Sequence, residues 1–301
     1  MKILLLSALV VLALSGPAIV RDPSAPLFTQ EDIDLINQSQ DSWTASLDWV
    51  GSMTAEDVKK YATTQIRPRE FPEFHWGAVL ENLQVPASFD SRNQWPSCVH
   101  PILNQGDCGS CWAFGATEAL SDRLCIGSKG SINVVLSPQY LVDCDHTSQG
   151  CSGGYPDLAW SFMKTNGVPT YSCVGYTAAN GNCPKTCDNG SSLQFYKAAS
   201  VSTYSGPSSI QAAILAGGPV ETAFSVYEDF MTYSGGVYKH TSGGYVGGHA
   251  VKIIGWGNQS GTNYWICANS WGTSWGIQGF FWIAFGQCGI DSQAVAGSPL
   301  V

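Results

Sequence analysis

Eleven cysteines in 301 residues, none of them between positions 16 and 84, constrain this chain more than any other feature. Behind an apolar leader, such a count points to an oxidising compartment and a disulfide-stapled body. Met1-Lys2 followed by the apolar run Ile3 to Leu14 reads as that leader, a secretory signal peptide over residues 1–15. Small Ala13 and Ser15 stand near its cleavage point. The run is too short for a transmembrane helix. The sequence carries no second long apolar span, C-terminal retention tetrapeptide or lipidation motif. A retained N-terminal anchor is the alternative reading. An odd cysteine count leaves one thiol over.

The cysteine-free residues 16–84 carry more charge and short helical patterns at Thr29 to Gln38 and Thr54 to Tyr61. Thr54-Ala55-Glu56-Asp57 is a capping box. The extended stretch Arg67-Pro68-Arg69-Glu70-Phe71-Pro72 follows. A preface of this kind ahead of a cysteine-rich body suggests a removable pro-segment over 16–84; the alternative is a small N-terminal domain that stays attached.

From Val85 the composition turns to Gly, Trp, Tyr and Cys. Cys111 to Ile126 is helical by pattern, and Ser137 to Val142, Pro156 to Lys164 and Ser209 to Ala216 are shorter helices. The signals then become β-like at Val220 to Val226, His249 to Trp256, Asn263 to Ala268 and Gly279 to Ala284. Helices first and strands second predict an α+β protein of two lobes, with a substrate cleft between them. The 44% hydrophobic and 12% charged content allows a sizeable core. A net charge of −9 argues against nucleic acid as a partner. There is no internal repeat. Asn37-Gln38-Ser39, Asn189-Gly190-Ser191 and Asn258-Gln259-Ser260 are glycosylation sequons, each weak evidence alone.

Three segments carry chemistry. Gln105-Gly106-Asp107-Cys108-Gly109-Ser110-Cys111-Trp112-Ala113-Phe114 sets Cys111 where a glycine-rich loop enters an apolar helix. A helix start presents unpaired N–H groups and the positive end of a dipole, which favour a thiolate nucleophile. Gln105 is placed to donate its amide to a developing oxyanion. Gly247-Gly248-His249-Ala250-Val251 puts a histidine on an apolar strand, with two glycines that admit a substrate backbone. Asn269-Ser270-Trp271-Gly272 follows another strand. Its asparagine oxygen suits the second nitrogen of a thiol-paired imidazole, and Trp271 suits shielding that bond from water. His75, His100, His146 and His240 lack such a setting and read as surface or pro-segment residues.

Cys108 and Cys111 also form a C-x-x-C pair, but the βαβ context of a redox motif is missing. A zinc site joining them to Cys183-Pro184-Lys185-Thr186-Cys187 lacks a nearby histidine ligand, so no metal is expected.

Residues 85–301 resemble a papain-family cysteine protease, through the Cys-Gly-Ser-Cys-Trp string and the order Cys, His, Asn. Within the family they are most similar to the cathepsin B type. Pro86 to Arg92 resembles the mature start; Glu118 to Ile126, Ala223 to Tyr227 and Gly235 to Tyr238 match that type in particular. The resemblance implies a helical left lobe, a β-barrel-like right lobe and an inhibitory pro-segment lying through the cleft. It makes Cys111 the nucleophile, His249 the acid/base, Asn269 the orienter, and Gln105 with the Cys111 N–H the oxyanion hole. Gly153 and Gly154 would bond the substrate backbone, near Gly248. Tyr155, Pro156, Ala223, Ala250 and Gln293 would line the pocket for the second residue before the scissile bond. Trp271 would border the leaving group. The implied disulfides are Cys98–Cys125, Cys108–Cys151, Cys144–Cys183 and Cys173–Cys187; Cys267 and Cys288 remain, and the sequence leaves open whether they form a fifth pair, which would leave Cys111 as the one free thiol.

Two departures from the cathepsin B type matter. Its occluding loop carries a histidine pair that binds a substrate's C-terminal carboxylate. The matching region here, Cys173 to Cys187, is short and has no histidine. Short-loop cathepsin B-like enzymes of protozoa such as Giardia are similar, and an open-cleft endopeptidase with weak exopeptidase activity is expected. Second, the glutamate that accepts arginine in the second pocket falls on Gln293, which favours apolar side chains there. Asp291 stands nearby as a source of partial acidity. The expected partners are peptide and protein substrates, the chain's own pro-segment and cystatin-like inhibitors, for a monomer without cofactor in a lysosome-like or extracellular setting. A catalytically silent binding protein on the same fold, or a ligase passing the thioester to an amine, are the competing readings.

Overall fold

The computed structural model describes residues 22–66 and 84–301. The leader, the Arg67 to Pro72 stretch and His75 lie outside the described residues. Two capping boxes set the first helices. Thr29 caps α1 (Gln30–Ser39) with Asp32, and Thr54 caps α2 (Ala55–Lys59) with Asp57. Between them a three-residue strand, β1 (Trp43–Ala45), joins the sheet of the second lobe.

The first lobe is helical. β2 (Phe89–Asp90) and α3 (Ser91–Gln94) lead into α4 (Cys111–Gly127), with α5 (Pro138–Cys144) and α6 (Pro156–Thr165) packed around it. Proline at the first position of α5 and α6 costs nothing, because that N–H has no partner in a helix. Every residue of α4 from Cys111 to Cys125 is buried, as expected of a helix that is apolar on most faces. Two of its polar members tie the lobes together. Asp122 sits 2.7 Å from the Lys252 ammonium, and Arg123 donates to the carbonyls of Ala213, Gly218, Pro219 and Gly297.

The second lobe follows β3 (Ser202–Tyr204) and α7 (Pro207–Gly217). It contains β4 (Val220–Tyr227), β5 (Tyr233–Tyr238), β6 (Tyr245–Gln259), β7 (Thr262–Ala268), β8 (Phe280–Ala284) and β9 (Ala294–Ala296). The order is β1-β5-β8-β7-β6-β4-β9-β3, with β2 added on β6. The path runs from β1 to β3 without closing, so the barrel-like lobe is an open sheet. Phe224, Phe230, Tyr238, Trp275 and Phe281 fill its core. Among the described residues, no helix is long and apolar enough to cross a membrane.

Four disulfides join Cys98–Cys125, Cys108–Cys151, Cys144–Cys183 and Cys173–Cys187. The suggested Cys267–Cys288 bond is absent and both thiols are free. Cys267 is sealed within β7 opposite Phe281 and Ile253, whereas Cys288 lies in a turn beside Tyr238 and Asp229. The count therefore leaves three thiols over, not one.

Candidate active site

Cys111 is the first residue of α4, so its N–H belongs to the unpaired first turn. Ser110 occupies the N-cap but makes no side-chain cap bond. His249 faces α4 from β6, in register with Phe224 of β4. Its Nε2 lies 2.7 Å from Asn269 Oδ1, which leaves Nδ1 for the thiol. Asn269 Oδ1 also accepts from the Ser270 N–H at 2.8 Å, and the Asn269 N–H donates to Gly279. Trp271 is buried, with its ring 4.7 Å from the imidazole. It excludes water from the His249–Asn269 bond, which is stronger in such a dry setting.

Burial alone would raise the Cys111 thiol. The His249 charge and hydrogen bond, the Thr64 hydroxyl and the Ala250 N–H outweigh it and bring the thiol down to about 6. A thiolate is thus available at mildly acidic to neutral pH. Gln105 is fully buried. Ser270 Oγ donates to its Oε1 at 2.7 Å, which turns Nε2 to the donor side, and Nε2 gives one hydrogen to Cys108 O at 3.1 Å. Its second hydrogen remains for an oxyanion.

The N-terminal segment fills the cleft. The Thr64 N–H donates to Gly248 O and the Gln65 N–H to Gly154 O, both at 2.8 Å. Thr64 Oγ1 lies 2.9 Å from the Cys111 sulfur. A Cβ on Gly153 would come within 2.2 Å of Thr63 O, and one on Gly248 within 2.1 Å of Thr64 O. Only glycine allows so close a passage of backbone. Upstream, Trp49 stacks on Trp271 at 5.2 Å and Tyr61 meets it edge-on.

Gln65 and Ile66 cover a cavity of about 160 Å³ whose walls include Pro156, Asp157, Ala223, Cys288 and Gln293. Pro156, Ala223 and Gln293 were expected there. Ala250 instead presents its N–H to the thiol, and Tyr155 is the N-cap of α6. Asp291 points away: its carboxylate accepts from Gly286 N and Trp265 Nε1. The carboxylate in the wall is that of Asp157, which accepts from the Leu158 N–H at 3.0 Å.

The sequence model of the papain family of cysteine proteases matches residues 85–298. This chain belongs to that family. A gut-specific cysteine proteinase of Caenorhabditis elegans is 43% identical over the whole of both chains. The cathepsin B-like CP3 of Giardia intestinalis is 38% identical, with 91% of this chain and 95% of that protein aligned. Among solved structures, procathepsin B S9 of Trypanosoma congolense superposes with a TM-score of 0.87 at 30% identity. The match covers 92% of this chain and all of that one. The chain is a cathepsin B-like cysteine protease, a hydrolase of peptides.

In this protease several contributors escaped the sequence reading. Ser270 orients Gln105, and Cys288 enters the pocket wall with its thiol pushed up to about 12, by burial first and then by Asp229. His100 and His240 are also more than surface residues. Their Nδ1 atoms lie 2.7 Å from Asp122 and 3.1 Å from Asp229. A histidine followed directly by a proline or a threonine gave no signal of such distant carboxylates.

Proposed function

We propose that the chain is a secreted zymogen of a cysteine endopeptidase, with a signal peptide over 1–15, a pro-segment over 16–84 and a protease domain over 85–301. The Cys111 thiolate attacks the scissile carbonyl. Gln105 Nε2 and the Cys111 N–H hold the oxyanion, and His249 protonates the leaving amine. The thioester is then hydrolysed by a water that His249 deprotonates. Asn269 keeps the imidazole in the tautomer this requires. No step calls on a cofactor.

The observation that carries this reading is the course of residues 61–66 across the thiol–imidazole pair. With the second pocket at Pro156, Ala223 and Gln293 and the leaving group at Trp271, a substrate runs from pocket to tryptophan in its N-to-C direction. The pro-segment runs the other way, from Tyr61 at Trp271 to Ile66 at the cavity. It occupies the backbone sites of Gly154 and Gly248 without presenting a carbonyl in the productive sense, and so inhibits without being cut.

The Cys173–Cys187 loop has no histidine pair to hold a terminal carboxylate, which favours cleavage within chains over removal of dipeptides. A lysosome-like or extracellular site of action fits the leader and the disulfides. The test is turnover of a fluorogenic peptide blocked at both ends, after acid activation, beside Cys111→Ala. Turnover by wild type alone is expected. Activity restricted to free C-termini would refute the endopeptidase reading, and silence on both substrates would favour a binding protein.

A further inference from the structure

The short loop closed by Cys173–Cys187 reaches back into the catalytic machinery. Its Tyr176 hydroxyl lies 2.7 Å from the Gln105 carbonyl and 2.6 Å from Ser110 Oγ. The carbonyl can only accept, so the phenol donates to Gln105 and the serine hydroxyl donates to the phenol. Burial holds the phenol above its usual range, and it keeps the proton it donates. The ring meets Phe114 edge-on at 4.7 Å, which fixes it against the first turn of α4.

Both partners of that hydroxyl flank the oxyanion site. Gln105 carries the side-chain donor. Its own backbone N–H is already held by Ser270 O at 2.8 Å, so Tyr176 fixes the other end of the same residue's backbone. Ser110 is the N-cap of the helix that Cys111 opens. An N-cap serine ordinarily accepts from the N–H groups of the first turn. Here it makes no such bond, and its hydroxyl points to Tyr176 instead. The Ala113 N–H goes to the Ser110 carbonyl at 2.8 Å, and the Cys111 N–H at the first helical position stays open to a developing oxyanion.

We propose that Tyr176 is a positioning residue of the oxyanion hole, through which the short disulfide loop sets the placement of Gln105 and anchors Ser110, whose peptide bond carries the Cys111 N–H. The proposal rests on Gln105 acting as an oxyanion donor. Tyr176→Phe removes only the hydroxyl and leaves the ring on Phe114.

In the acid-activated full chain, Tyr176→Phe should lower kcat about tenfold with KM within about twofold. This is part of the ~100-fold that loss of a whole oxyanion donor costs. Alkylation of Cys111 by iodoacetamide needs no oxyanion hole, so its pH profile should match wild type, as should the melting temperature. A kcat within twofold of wild type, while Gln105→Ala loses about 100-fold, would overturn the proposal and leave the oxyanion reading intact. A parallel fall of kcat, alkylation rate and melting temperature would mark Tyr176 as merely structural and equally overturn it. Full activity in Gln105→Ala would remove the underlying reading, and the proposal with it.

Discussion

The two lobes are held together by different means. All four disulfides lie between Cys98 and Cys187, in the helical lobe and its long loops. The sheet lobe from Ser202 onward has none and carries two free thiols, Cys267 and Cys288. The reason lies in what each lobe can bury. Six strands from Val220 to Ala296 share ladders and close on an aromatic core of Phe224, Phe230, Tyr233, Tyr238, Trp275 and Phe281. The helical lobe spends residues 166–201 on loops with few ladders, where chain entropy must be offset covalently. The proposed catalytic pair draws on both: a thiol on the stapled lobe and an imidazole on the sheet.

The largest effects should come from breaking the line that crosses the lobes. Cys111→Ala should abolish peptide turnover. His249→Ala should cost at least about 10⁴-fold in kcat, the upper range for loss of an acid/base partner that also activates the nucleophile. Asn269→Ala should cost about 100-fold, because the imidazole remains but its orientation does not. Steady-state kinetics on a blocked peptide give all three. An Asn269→Ala enzyme within a few-fold of wild type would mean that Trp271 alone holds the ring.

Next come variants that test the lobes against each other. Replacing Cys144 and Cys183, 39 residues apart, with serine should destabilise the protein by about 4 kcal/mol on the chain-entropy account. Cys267→Val, a similar volume on a buried strand, should cost less than about 1.5 kcal/mol. Urea denaturation of both measures the contrast. Equal losses would show that the sheet lobe depends on its thiol as much as the helical lobe depends on its bridges.

The same division decides what the sequence made legible. Helices announce themselves locally. Thr29 and Thr54 with their capping aspartates, and the prolines at 138, 156 and 207, mark helix starts to within two residues. Short strands do not. Trp43–Ala45 is a strand only because Tyr233–Gly236 lies beside it, some 190 residues on, and β3, β5 and β9 escaped for the same reason. The α+β class was legible because helical and alternating patterns fall in separate halves. Cys111, His249 and Asn269 each sit in a motif that drew attention to them. Ser270 and Tyr176 act through partners 165 and 71 positions away, which no local pattern encodes. Parity of the cysteines misled for a plainer reason: a buried thiol on a strand behaves as a small hydrophobe and needs no partner.

The seam between the lobes supplies a pH effect. Lys252 of β6 faces two carboxylates of α4: Asp122 at 2.7 Å and Glu118 at 3.8 Å. Asp122, also held by His100, takes the cation more closely. Burial, with Asp122 adding to it and Lys252 opposing, raises Glu118 to about 8. A carboxyl raised on folding binds its proton more tightly in the native state. Its stabilisation is complete below its unfolded value near 4.5 and is lost as pH rises through about 8. Glu221, raised by burial, acts in the same direction. The protease should therefore melt at a lower temperature at pH 8 than at pH 5, and Glu118→Gln should flatten part of that fall. An unchanged slope in the variant would move the effect to Glu221 or elsewhere.

The smallest effect concerns the pocket that both lobes wall, Pro156 and Asp157 from α6 and Ala223, Cys288 and Gln293 from the sheet side. An arginine entering it would meet a neutral amide at 293, and the Asp157 carboxylate already serves the Leu158 N–H. Desolvating a guanidinium without a dedicated partner is costly, so apolar side chains should be preferred at the second position before the cut. Gln293→Glu supplies that partner from the sheet side and should raise kcat/KM for an arginine substrate about tenfold, or ~1.4 kcal/mol, over a leucine one. Asp157→Asn should leave the wild-type preference in place. A wild-type enzyme that already favours arginine, and loses it in Asp157→Asn, would transfer control of the pocket from the sheet lobe to the helical one.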